Sequence, residues 1–227
     1  SGFQLAGGMN FADTFVHPTF QLSVVGNKVE DMDGVQLTGG VNEGETTGPQ
    51  LAGLGNVTDE VVGFQVGGGV NSAETFTTPG LQLSGLGNKV AELNGLQMTG
   101  GLNWAKKTGP QISGLGNYSE DVTGLQVAGG VNWATDFTTP SFQVGGIGNK
   151  IGALTGFQLA GGVNHATKGE KGVQLAGLGN KANLQGLQVA GGINFGEVHG
   201  VQLSGLANTS DKGTHKWVMM TGGLNVN

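Results

Sequence analysis

Residues Phe64–Asn88 read FQVGGGVNSAETFTTPGLQLSGLGN, and this stretch holds one short pattern twice. Each copy runs apolar-Gln-apolar-small-Gly-x-x-Asn. FQVGGGVN (Phe64–Asn71) ends in Gly-apolar-Asn, and LQLSGLGN (Leu81–Asn88) ends in apolar-Gly-Asn. Working outward, the first flavour returns as FQLAGGMN, VQLTGGVN, LQMTGGLN, LQVAGGVN, FQLAGGVN and LQVAGGIN, with a degenerate VMMTGGLN at Val218–Asn225. The second returns as FQLSVVGN, PQLAGLGN, PQISGLGN, FQVGGIGN, VQLAGLGN and VQLSGLAN. The flavours strictly alternate, so the apparent unit is about thirty residues with two strands. A longer period lies above it: Asn10, Asn71 and Asn132 are 61 residues apart, each followed by a long segment such as SAETFTTP. Between them that segment is short (EGETTGP, WAKKTGP), while the one after the second flavour is nearly constant (KVEDMDG, KVAELNG). One corner is uniform and the other variable.

Apolar-Gln-apolar-small is the period-two signature of a half-buried strand. It predicts Phe3, Leu5 and Met9 on one face, packed inward, and Gln4, Ala6 and Asn10 on the other. In the second flavour the late leucine (Leu54, Leu86, Leu115) changes parity beside a glycine, and a bulge there would return it to the core. One such strand cannot bury its own apolar face, whereas stacked copies can. Stacking also explains the repeated amides: in register about 4.7–4.8 Å apart, Gln and Asn hydrogen-bond along the stack as ladders. The expectation is an all-β fold, a β-solenoid of about seven two-strand coils. The alternative is an antiparallel β-barrel, disfavoured because the chain has one tyrosine and strands shorter than membrane barrels use. The chain reads as a single repeat domain over 1–227, the C-terminal part of a longer protein, with super-repeats at 3–63, 64–124, 125–186 and 187–227. Met219 in place of glutamine and the irregular TSDKGTHKW before it suggest a cap in which Trp217 covers the last coil. The N-terminal end shows no cap, which points to homo-oligomerisation or an upstream domain there, and to a fibre tip.

Composition narrows the classes. Glycine supplies 47 of 227 residues, about three times ordinary usage, with five prolines and no Gly-X-Y period, so neither collagen nor a linker fits. A net charge of −6 without a Lys/Arg cluster argues against nucleic acid. There is no cysteine for a disulfide framework or thiolate metal site.

The strings GFQLAGG, GLQVAGGVN and LSGLGNKVAELNGLQ resemble the Gly-apolar-Gln-apolar-x-Gly-apolar-x-Asn repeats of bacterial surface proteins from Leptospira and Bacteroidetes. That resemblance spans nearly the whole chain and implies a cell-surface or extracellular setting. It carries no catalytic residues over.

Motifs for chemistry are missing. There is no HExxH, GxSxG or P-loop, and His17, His165, His199 and His215 lack metal-ligand spacing, so neither metal nor cofactor is expected. The carboxylates Glu30, Asp31, Asp59, Glu60, Glu92, Glu120 and Asp121 read as a solvated edge, and the chain as no enzyme. Lys28, Lys89 and Lys150, each after a second-flavour asparagine, are expected two coils, about 9.5 Å, apart. The candidate ligand-binding set is aromatic. Phe11, Trp104, Trp133, His165 and Phe195 each follow a first-flavour asparagine, with Trp104 and Trp133 expected as neighbours. Phe15, Phe76 and Phe137 recur in the long segments. Aromatics along one corner either offer flat apolar surface to a cell-surface glycan or protein, or fold inward and plug the corner. The expected function is an extracellular recognition or adhesin module binding glycans or envelope components. The alternatives are a structural spacer or assembly repeat, and an outer-membrane barrel.

Overall fold

The computed structural model describes residues 2–138, 140–210 and 218–226, and for 16–18, 141, 169 and 170 it describes the backbone alone. Every element among them is a β-strand. The chain divides into two compact units, Ser1–Gly114 and Leu115–Asn227.

In the first unit Gly55–Val61 runs along one wall, the chain bends at Val62 and Gly63, and Phe64–Gly67 returns along a second wall. A tight turn then leads into Val70–Phe76 on the first wall, one layer on. Like strands pair in parallel with like residues opposed: Gln50 with Gln65, Gln65 with Gln82, and Asn56 with Asn71. The second unit repeats this, with Gln143 opposite Gln158 and Asn149 opposite Asn164. In places the strand continues round the bend, as in Gly26–Thr38 and Gly148–Ala160. This is a β-solenoid; the parallel pairing excludes an antiparallel barrel.

The coil is one motif. Successive glutamines along the ladder are 14 to 17 residues apart, so each thirty-residue pair spans two layers and there are roughly fourteen coils among the described residues. Both flavours put Gln and Asn at equivalent places, and hence each closes a coil unaided. Lys28 and Lys89 are therefore separated by Glu43, Val57 and Ser72, four layers or about 19 Å apart rather than two.

The faces are also the reverse of the sequence expectation. The amides point inward: Gln21, Gln36, Gln50, Gln65, Gln82 and Gln97 are fully buried, as are Gln126, Gln143, Gln158, Gln174, Gln188 and Gln202 in the second unit. Phe3, Leu5 and Met9 face outward. The ladders make this burial tolerable. Each Gln Nε2 donates to the Oε1 of the preceding glutamine, at 2.9 Å for Gln36 to Gln21 and 2.8 Å for Gln65 to Gln50. Each Asn Nδ2 donates the other way, to the Oδ1 of the following asparagine, at 2.9 Å for Asn27 to Asn42 and 2.8 Å for Asn56 to Asn71. The two rows of amide dipoles thus oppose each other. Remaining N–H groups staple the walls: Asn56 Nδ2 donates to Val66 O and Gln82 Nε2 to Lys89 O. In the second unit Asn149 Nδ2 donates likewise to Leu159 O. Such bonds contribute about 1 kcal/mol each, and leaving a buried partner orphaned costs about 1–3 kcal/mol.

Among the described residues an apolar core cluster stands in each unit where the inward side chains two, four or five residues beyond the asparagines stack. Val61, Ala73, Phe76, Val90, Leu93 and Ala105 form it in the first unit. Ile151, Leu154, Ala166, Ala182, Leu184 and Val198 form it in the second. Glycine is required where coils approach: a Cβ on Gly40 would run into the carbonyl oxygen of Val25, and Gly63 bends the chain at φ +108°.

Candidate functional site: the outward column and the turn edge

On the asparagine strand the residue after each Asn points away from the ladder, because successive side chains alternate across a strand. Stacking brings these residues into a column. In the first unit it runs Phe11, Lys28, Glu43, Val57, Ser72, Lys89, Trp104. In the second it runs Tyr118, Trp133, Lys150, His165, Lys181, Phe195. The structure therefore interleaves the predicted aromatics with the lysines. The lysines cover the rings: Lys89 Nζ lies 5.5 Å from the centre of Trp104, and Lys150 Nζ lies 4.0 Å from Trp133. Tyr118 meets Trp133 edge-on at 5.6 Å. Trp104 is half-buried and belongs to the first unit; Trp133, in the second, is 43% exposed. Phe11 and Phe195 are exposed and His165 is half-buried.

The other three aromatics sit elsewhere. The position five after the asparagine faces the interior, and Phe76 is a core residue there, 5% exposed. Phe15 is half-buried opposite Met32, itself a core residue. Phe137 packs against the core cluster of its own unit. Where the segment is short, Thr47 and Thr108 take this inward place beside Met32 and Leu93. The long segments therefore make room for a larger core side chain. Trp217 and His215 lie outside the described residues.

Charge on this wall is graded. Lys28 Nζ donates to Glu43 Oε1 at 2.6 Å, and that hydrogen bond, then the Glu43 charge, holds the Lys28 pKa above its ordinary value. Burial first, then the charges of Lys181 and Lys150, push His165 below its ordinary 6.5. Farther along the strand, Asp31, Glu60 and Glu92 alternate with Thr46 and Thr75 on successive coils, so like charges sit about 9.5 Å apart and face solvent. Among the described residues no three His, Asp or Glu side chains gather as metal donors.

Sequence reasoning missed the turn edge. The late leucines do not bulge back to the core. They stand on the turn between the two walls, with Leu54 64% and Leu86 69% exposed, and Leu115, Ile147, Leu178 and Leu206 match them in the second unit. On adjacent coils the place holds glycine and the next residue carries the bulk, as Val41, Val70 and Leu102 do. The two flavours are this checkerboard of knobs and gaps. The signal was present in the alternation of Leu-Gly-Asn with Gly-Val-Asn.

Comparison with protein-family models, with curated proteins and with solved structures finds no match to this chain.

Proposed function

We propose that the chain is a structural repeat module, a spacer or assembly element of a bacterial surface or secreted protein. The observation that carries this reading is the pair of in-register amide ladders. They fill the space between the walls with side chains that hydrogen-bond to one another. Each coil needs only its two neighbours, so coils can be added or removed without redesign. The resemblance of the repeats to Leptospira and Bacteroidetes surface proteins supports the setting.

The test is deletion of residues 35–63, two whole coils that preserve the alternation of flavours. The shortened chain is expected to fold cooperatively with unchanged far-ultraviolet circular dichroism per residue. Collapse to an aggregated or molten species would sink the modular reading.

One observation favours a second reading, adhesion. Trp133 and Phe195 expose ring surface beside lysines on the second unit's column. That would suit a glycan ring or an envelope protein. A glycan array and a whole-cell binding assay separate the two. The structural reading expects silence in both. Binding that Trp133→Ala or Phe195→Ala abolishes, with the fold intact, would install the adhesin instead.

A further inference from the structure

Around the turn between its walls the solenoid carries amides inside and apolar side chains outside. On the glutamine strand the outward residues are apolar, for instance Phe64 and Val66, Leu81 and Leu83. The turn adds Leu54 and Leu86, and the start of the asparagine strand adds Val41, Val70 and Leu102. The apolar surface then stops at the column of Lys28, Lys89 and Trp104, and carboxylates follow. The second unit has the same order, with Leu178 and Leu206 at the turn, Lys150, Lys181 and Trp133 in the column, and Asp121 and Asp136 beyond.

Three properties of this edge identify its occupant. The turn backbone is satisfied from coil to coil: Leu54 N–H donates to Gly40 O at 3.0 Å, Gly69 N–H to Leu54 O at 2.8 Å, and Leu178 N–H to Gly162 O at 2.9 Å. A surface can enter hydrocarbon only on that condition. The turn leucines lie three residues beyond the Lys/Trp column, about 10 Å at ~3.3 Å per residue, which is the depth to which interfacial elements sink. The column holds Trp, Tyr and Lys side chains of the kind that settle at headgroups, with the ammonium groups of Lys89, Lys150 and Lys181 to meet phosphates; Lys28 is paired with Glu43 within the column, and the other carboxylates named lie farther out.

The geometry points to a phospholipid surface as the partner: the turn edge inserts shallowly into one leaflet with the Lys/Trp column at the headgroups. This goes beyond the structural reading and does not depend on it. The experiment is co-sedimentation of the whole chain with phosphatidylcholine vesicles. Wild type is expected to sediment with them, and the Leu54→Asp/Leu86→Asp double variant to partition at least about tenfold less, with an unchanged circular dichroism spectrum. Leu178→Asp/Leu206→Asp provides the same test on the second unit should the first pair fail to fold. In a Trp217→Phe background, Trp104 and Trp133 are expected to be quenched more by bromines high in the acyl chain than near its end. Wild type left in the supernatant would overturn the proposal, as would sedimentation indifferent to both double variants. So would a lipid-free oligomer that the same substitutions dissolve, which would assign the edge to a second copy.

Discussion

The two faces of the same strands follow opposite rules. Inward, Gln65 and Asn71 repeat the residues of the coils before and after them. Outward, one residue beyond the glutamine or one beyond the asparagine, the side chain is whatever the coil supplies: Val66, Leu83 or Met98 in one row, Glu43, Ser72 or Trp104 in the other. The difference is one of partners. A buried primary amide here donates to one like amide and accepts from another at the same place on the neighbouring coils, so the identity of one rung dictates the next. An outward side chain is completed by solvent or by whatever covers it, and is free to vary. The fold thus constrains the polar row and leaves the outward rows free.

Breaking a rung should therefore cost far more than altering the outward face two residues away. Asn56 accepts from Asn42 Nδ2 at 2.9 Å and donates to Asn71 Oδ1 and Val66 O. Asn56→Leu keeps the heavy-atom branching but orphans these groups within the walls. The expected loss is on the order of 4 kcal/mol in urea unfolding, from several groups at about 1–3 kcal/mol each. Leu54→Ser, on the same turn but outward, should stay within about 0.5 kcal/mol. If the two variants prove equally stable, the inside-out account of the fold is wrong.

The comparison can be sharpened in the opposite direction where the ladder stops. Met219 stands opposite Gln202, and Gln202 Oε1 is buried without a donor because methionine has none to offer. Met219→Gln restores an Nε2 at the height where every earlier coil has one. The expected gain is about 1 kcal/mol, one net hydrogen bond, read as a higher urea midpoint with an unchanged slope. A destabilised variant would mean that the terminal coil holds its methionine for packing.

What the sequence disclosed, and what it hid, follows from the same physics. The repeat, the strands, the stacking and the ladders were legible because Gln36, Gln50 and Gln65 recur as letters, and a ladder needs identical letters. Polarity inside and out was not legible. Period-two alternation says that Gln and Leu face opposite ways, but not which way is in, and the usual preference for buried leucine gave the wrong answer. The coil length was hidden for a related reason: the flavours differ only at the turn, where Leu54 and Gly69 alternate, so pairing them looked like the structural period. The aromatic column was legible as a column, because Trp104 and Phe11 share a place relative to asparagine. Its lysine partners were also visible in the sequence, but they fall into the same column only once each motif is a coil of its own. Phe76 was open to two readings, an exposed corner aromatic or an inward plug, and its distance from Asn71 turns it inward.

The smallest effect expected lies on the outward column itself. His165 sits between Lys150 and Lys181, and burial together with those charges lowers its pKa. In the unfolded chain the imidazole takes up its proton near 6.5; in the folded chain it does so only at lower pH. Between the two values the unfolded state holds more protons, so stability falls as pH falls through that window and is fully present above it. His165→Gln should flatten this part of the curve while leaving stability at pH 8 nearly unchanged, measured as thermal midpoint against pH. Titration of the His165 ring by NMR gives the direct check. A pKa at or above the ordinary value would mean that Lys150 and Lys181 turn away from the ring in solution, and that the column is looser than its in-register stacking implies.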